Sequence, residues 1–289
     1  MIKSRKTKIG DWVVVFLCLL LILICLLPLL NIIARSLSSA TALVRNEVLI
    51  WPVGLNFEAY QTVLKDARYV WSLEWTAILT VICAAWSMFM TILCAYPLTY
   101  DHLKGRQFFN GLIILTMYFS AGIIPNYLVM KDLNLMNNPL VLIIPNCLSV
   151  FNMIIMRSFF YGIPDSLRES AELDGAGPVR VLVSIYLPLS TAVLATLTLF
   201  YAVGRWNGFS DALMYLNKRE YYPIQRLLYD ILHSVNSFEV AAIEGFTTPG
   251  MAETLRMATV AFATVPILLV YPWLQRYFIT GVTLGSEKG

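Results

Sequence analysis

Tyr201, Arg205, Trp206 and Asn207 stand near the end of an apolar run, and their side chains could do binding chemistry. The aromatic rings can stack on the faces of sugar rings, and Asn207 offers an amide to hydroxyl groups. Arg205, with Arg226 farther along, can pair a carboxylate through two parallel hydrogen bonds. An arginine at membrane depth is costly and usually faces a cavity or a partner. The same residues fit equally well an aromatic belt at a membrane surface with a snorkelling arginine. A second polar cluster is Arg168-Glu169-Ser170-Ala171-Glu172-Leu173-Asp174-Gly175, followed by Ile185-Tyr186-Leu187-Pro188.

Other chemistries have little to be built from. His102 and His233 are the only histidines and are far apart in sequence. Cys18, Cys25, Cys83, Cys94 and Cys147 all fall inside apolar runs, where a thiol behaves as a small hydrophobe. No CxxC or Cys/His cluster suggests a metal or a disulfide framework. A membrane-embedded enzyme would need paired carboxylates, or a serine with a nearby base, inside the apolar runs. Asp and Glu are nearly absent from those runs. An ion channel would call for rings of charge or a carbonyl filter. No G-x-x-x-x-G-K-[ST] phosphate loop is present, so any ATP hydrolysis belongs to another subunit. The net charge of +3 gives no reason to expect nucleic acid as a partner.

The elements that must position these clusters are membrane spans. Apolar residues make up 58% of the chain and charged residues 13%, against about 45–50% and about 25% in soluble domains. The expectation is an all-α membrane protein forming a single domain over 1–289. Six spans are read at about 12–34, 75–100, 108–130, 139–156, 189–208 and 255–274, with a polar loop at 157–188. Lys3, Arg5, Lys6 and Lys8 precede a first run too long for a signal-peptide core, and no obvious small-residue cleavage site follows it. It is read as a retained span with its basic end in the cytoplasm. Six spans then put both termini inside. Arg157, Arg168 and Arg180 fit an inner loop, although the outer loops hold comparable numbers of basic residues. Gly122, Pro125 and Pro145-Asn146 interrupt the third and fourth spans. Such breaks either mark a transport pathway or are simply tolerated in membrane helices.

The 168–188 stretch reads locally as a short helix, a glycine break and a second short helix. Ser166 and Glu169 have capping-box spacing, and Pro164 suits the turn into the helix. Gly175 can take the left-handed conformation that ends a helix, and Pro178 can start the next one. Pro188 marks a further break or kink.

Glu169-Ser170-Ala171, three residues, Gly175, nine residues, then Ile185-x-Leu187-Pro188 resembles the EAA loop of ABC-importer permeases, with Ser170 where the family usually has alanine. Further resemblances run from about residue 51 to the end of the chain. They are Trp51-Pro52 with Leu55-Asn56-Phe57-Glu58-Ala59-Tyr60, Trp206-Asn207 with Ala212-Leu213, Tyr222-Pro223-Ile224-Gln225, and Gln275-Arg276-Tyr277-Phe278-Ile279-Thr280-Gly281 with Leu284-Gly285 and Lys288-Gly289. Together they resemble the MalG-like branch of carbohydrate permeases, in its LplC/YtcP-like subgroup.

The resemblance implies the MetI-like fold of a type I ABC-importer permease in the bacterial cytoplasmic membrane. It implies a non-catalytic subunit that binds no cofactor, partnered by a second, MalF-like permease, two ATPase subunits carrying ATP and Mg, and an extracytoplasmic solute-binding protein. In that family the EAA loop sits in a cleft of the ATPase. Carried over here, Arg168, Glu169, Ser170, Ala171, Asp174, Gly175, Leu187 and Pro188 would couple ATPase to transport, while Tyr201, Arg205, Trp206 and Asn207 would lie near the substrate pathway. The Tyr222–Gln225 segment would belong to the outer gate. The implied substrate is an oligosaccharide, with a uronate-type acidic sugar allowed by the arginines. An amino-acid or peptide importer is the alternative, because type I importers share the EAA loop.

Overall fold

The structure, a computed structural model, describes residues 5–233 and 249–286, with the backbone alone for 5–10, 249 and 271–286. Helices are the only regular elements among the described residues, as the all-α reading requires. The chain divides into two compact units, Met1–Val70 with Leu228–Val265, and Trp71–Leu227 with Pro266–Gly289.

The first unit opens with α1 (Arg5–Ser36), whose residues 11–30 are exposed on every side. A helix apolar all round, with no packed face, finds its stable surroundings in lipid. Ser39 caps the short α2 (Ala40–Val44) by accepting the Ala42 N–H at 3.4 Å. Gly54 sits beside it at φ +66°, where a Cβ would lie 2.9 Å from Ser39 Oγ. In α3 (Glu58–Lys65), the Tyr60 hydroxyl shares a 2.8 Å hydrogen bond with Ser36. Arg35 forms an ion pair with Glu253, near the start of a long helix (Pro249–Ser286) numbered α15 below.

α4 (Ala67–Ala95), which from Trp71 on belongs to the second unit, begins eight residues before the expected span start at Trp75. The extra turns have a local cause: Asp66 Oδ1 accepts the Arg68 N–H at 2.9 Å, which caps the helix early. A 3-10 turn, Pro97–Thr99, follows. Next come α5 (Arg106–Tyr118) and α6 (Ile123–Asp132), set 113° apart. Gly122 supplies the break with φ +91°, a backbone conformation that side chains disfavour. The expected third span is therefore a bent pair.

The region of the expected fourth span holds α7 (Leu140–Ile143), a break at Pro145-Asn146, and α8 (Val150–Tyr161). Ser149 caps α8 through the Asn152 N–H. After α9 (Asp165–Leu173) come α10 (Pro178–Val181), a π-helical turn over Leu182–Tyr186, and α11 (Leu187–Leu189). The chain then turns 85° at Ser190 into α12 (Thr191–Asn207). α13 (Ser210–Tyr215), α14 (Ile224–His233) and α15 (Pro249–Ser286) complete the described helices.

Among the described residues, three segments are long and apolar enough to cross a membrane: Asp11–Ser36, Ala67–Thr99 and Gly250–Val270. The total reaches five if each bent pair is one span, and α8 is a shorter apolar helix. Two cores hold the second unit together. One centres on Tyr96, Met153, Met156, Phe160, Tyr186 and Leu197. The other centres on Leu79, Leu142, Tyr215 and Tyr222.

Candidate functional site

The 165–189 segment is built from strictly local signals. Ser166 does not act as a cap: Pro164 occupies the cap position, Ser166 lies inside α9, and no side chain bonds the helix start. The reason is positional, because Pro164 places the first turn at Asp165, whose carboxylate suits the positive end of the helix. The glycine and proline signals hold. Gly175 adopts φ +81°. Its N–H reaches Glu172 O at 3.0 Å and the Ala176 N–H reaches Ala171 O at 2.9 Å, the paired bonds of a Schellman end. Pro178 is the first residue of α10. Near Pro188 the break takes the form of a π turn before it and a bend after it.

This short helix has two faces. Arg168 and Ala171 turn inward, and Ala171, Ala176 and Leu187 pack on the Tyr96–Phe160–Tyr186 core. Arg168 is held by Asp165 at 2.9 Å and lies 5.0 Å from the centre of the Tyr100 ring. Burial opposes its charge, but Asp165, Tyr186 and Glu172 outweigh that and hold its pKa above the usual arginine value. Glu169, Ser170, Leu173, Asp174, Gly175 and Pro188 face outward. Leu173 is 89% exposed and Val179 is 74% exposed.

The second feature is a cavity of about 1230 Å³, within the same unit. Tyr201 and Arg205 line it, whereas Trp206 and Asn207 do not. Trp206 is buried, and Asn207 donates to Val203 O at 3.1 Å. Arg226 lies over the Tyr222 ring, 4.8 Å from its centre, and is not part of the lining.

Both terminal nitrogens of the Arg205 guanidinium are already occupied, while its buried Nε has no hydrogen-bond partner among the described residues. The guanidinium pairs with Asp211 and donates to Gly208 O at 3.0 Å and Leu142 O at 3.4 Å. Asp211 is the partner that the sequence reading missed. Its signal was an acid just past the glycine that ends the helix, at a spacing no helical rule covers. Asn126, Asn146, Asn152, Ser87, Ser149 and Phe151 also line the cavity. Its lining mixes these polar and aromatic groups with the apolar side chains of Met130, Leu142, Ile143, Leu148, Leu199 and Met214, and its two charged residues, Arg205 and Asp211, neutralise each other. Pro145 and Asn146 reach the cavity, whereas Gly122 and Pro125 are not in its lining.

The Tyr222–Gln225 segment is strapped to α4. Trp71 and Trp75 donate their indole N–H groups to Glu220 O at 2.8 Å and Tyr221 O at 3.0 Å. The Ile224 N–H donates to Thr76 Oγ1 at 2.7 Å. The side chains of the Gln275–Gly281 pattern and of Leu284 lie outside the described residues, as do Lys288 and Gly289. Among the described residues, no three His, Cys, Asp or Glu side chains gather as a metal site would need.

Residues 87–283 match the family described as the binding-protein-dependent transport system inner membrane component. The chain belongs to that family. The permease is 38% identical, over 98% of its length and 100% of the relative's, to the polygalacturonan/rhamnogalacturonan transport system permease protein YtcP of Bacillus subtilis (strain 168). It is also 38% identical to Protein LplC of the same organism, over 92% of this permease and 90% of that protein. Its fold matches a chain in the crystal structure of a bacterial ABC transporter involved in the import of the acidic polysaccharide alginate. That match has a TM-score of 0.88 and 33% identity, and covers 96% of the permease and 99% of the other chain. The MetI-like permease fold expected from the EAA resemblance is therefore the fold observed.

Proposed function

We propose that this chain is a membrane-spanning subunit of an ATP-driven importer that moves an oligosaccharide, neutral or uronate-type, handed over by an external solute-binding protein. The likeness to YtcP over nearly the whole chain carries this reading. It favours a saccharide over the amino-acid or peptide alternative. The amides, hydroxyls and aromatic rings set in the cavity's largely apolar lining support the same choice, because rings and hydroxyl groups are what such side chains bind.

In this reading the chain forms one permease domain with six spans. They are α1, α4, the α5–α6 pair, the α7–α8 region, α12 and α15. Both termini lie in the cytoplasm. A MalF-like permease completes the pathway, and two ATPase subunits hold ATP and Mg, which supply the free energy of transport. The outward face of α9, with Glu169, Ser170, Asp174 and Gly175, seats in an ATPase cleft. Arg168, Ala171 and Leu187 join that helix to the body, and Pro188 stands on its exposed side. Tyr201 and Arg205 shape the pathway wall. ATP binding at one end and the loaded binding protein at the other bias the same two-state element.

The test is ATPase activity of the co-purified complex in lipid, with its binding protein and a panel of neutral and acidic oligosaccharides. Stimulation by one loaded binding protein is the expected result. Activity indifferent to every loaded binding protein, or no co-purifying ATPase, would overturn the reading.

A further inference from the structure

Two tyrosine hydroxyls tie α4 to the two features described above. At one end, Tyr96 donates to the carbonyl of Pro178, the first residue of α10, at 2.9 Å. A hydroxyl has a single hydrogen, so the 2.5 Å contact between Tyr96 and Tyr100 must be donated by Tyr100. The Tyr96 ring also packs edge-on against Tyr186 and Phe160, with centroids 5.1 and 6.3 Å away.

At the other end, Thr91 of α4 donates its own hydrogen to Ser87 O at 2.7 Å. The 2.7 Å contact between Thr91 and Tyr201 is therefore donated by Tyr201. The Tyr201 oxygen in turn accepts the N–H of Ser149, the cap of α8, at 3.1 Å. Ser87, Ser149 and Tyr201 all line the cavity. Thr91 and Tyr96 are five residues apart, about 7.5 Å of helix at the usual rise.

We propose that the end of α4 is the link between the coupling segment and the cavity wall, with Tyr96 as the latch on α10 and Tyr201 as the latch on α8. Neither tyrosine needs to touch ATPase or solute through its hydroxyl. Both are positioning residues: a displacement of α10 pulls α4 through Tyr96, and α4 moves the cavity wall through Tyr201. This inference rests on the importer reading above.

The test measures saccharide transported per ATP hydrolysed by the reconstituted complex. Tyr96→Phe removes the hydroxyl and leaves the ring packing. It is expected to lower the ratio about fivefold, the scale of one lost hydrogen bond, while the amount of assembled complex and its basal ATPase stay the same. Tyr100→Phe leaves the Tyr96–Pro178 bond in place and is expected to match the unaltered complex. Tyr201→Phe is expected to lower the ratio similarly, and the double variant Tyr96→Phe/Tyr201→Phe to be no worse than either alone, as for two breaks in one chain of contacts. A normal ratio in Tyr96→Phe, or multiplied losses in the double variant, would overturn the link. An unaltered complex that no loaded binding protein stimulates would instead overturn the importer reading.

Discussion

The carboxylate of Asp211 holds the guanidinium of Arg205 from six residues farther along the chain, across the end of α12. Their side chains are 15% and 7% exposed, so the pair sits largely out of water. A free arginine in the same place would read carboxylates. This one is committed to Asp211 and to two carbonyl groups.

Arg205→Ala is therefore expected to act through the fold before it acts on solute. It strands a buried carboxylate, which costs about 3–5 kcal/mol. Removing both charges with Arg205→Gln and Asp211→Asn is expected to cost less. Thermal unfolding of the complex in lipid measures both, and uptake is expected to fall alike for neutral and acidic sugars in Arg205→Ala. A selective loss of acidic-sugar uptake would show instead that Arg205 reads the solute.

Leu173→Asp alters a side chain that supports no core. Its effect is expected to fall on ATPase docking, with at least a tenfold loss of co-purifying ATPase subunit, as for an apolar anchor at an interface. Unchanged recovery of ATPase would place the docking face elsewhere.

Gly175→Val forces a branched side chain into a left-handed residue, at about 1–2 kcal/mol for the backbone alone. No heavy atom stands within 4 Å of the added Cβ, so the cost is conformational and not a clash. The Schellman end loosens, and α9 no longer holds a fixed angle to α10. The subunit is expected to remain in the membrane with stimulated ATPase and uptake uncoupled, and Glu169→Trp to have the same outcome. Normal solute-stimulated ATPase in either variant would count against α9 as a lever.

Gly250→Ala tests the other unit. A Cβ at Gly250 would lie 2.3 Å from the carbonyl oxygen of Ala40, a contact real structures avoid. The resulting shift is expected to cost about 1–3 kcal/mol, read as faster amide exchange around α2 with α9 and α10 unaffected. Equal protection in both proteins would show that the contact relaxes freely.

The 165–189 segment was legible in the sequence because its signals are local. Gly175 and Pro178 act through their own backbone, so position alone predicts their conformation. Ser166 misled because capping depends on where the helix starts, and Pro164 moved that start by two residues. The cavity was legible only in part. Tyr201 and Arg205 line it, while Trp206 is buried and Asn207 bonds back to Val203 O, a division the residue types do not announce. Asp211 was missed because its partnership crosses a helix end. Likewise α4 starts early because of a single carboxylate, Asp66, in a stretch otherwise too polar to read as a span.

The π turn at Leu182–Tyr186 gives the chain a place where its length is negotiable. A π turn carries one residue more than an α turn needs. Deleting one residue there would leave a regular helix and keep every later side chain on its original bearing. The same deletion in α12, ahead of Tyr201, would swing Tyr201 and Arg205 by about 100° away from the cavity. Insertions and deletions between relatives should therefore avoid the helix that follows the wide turn.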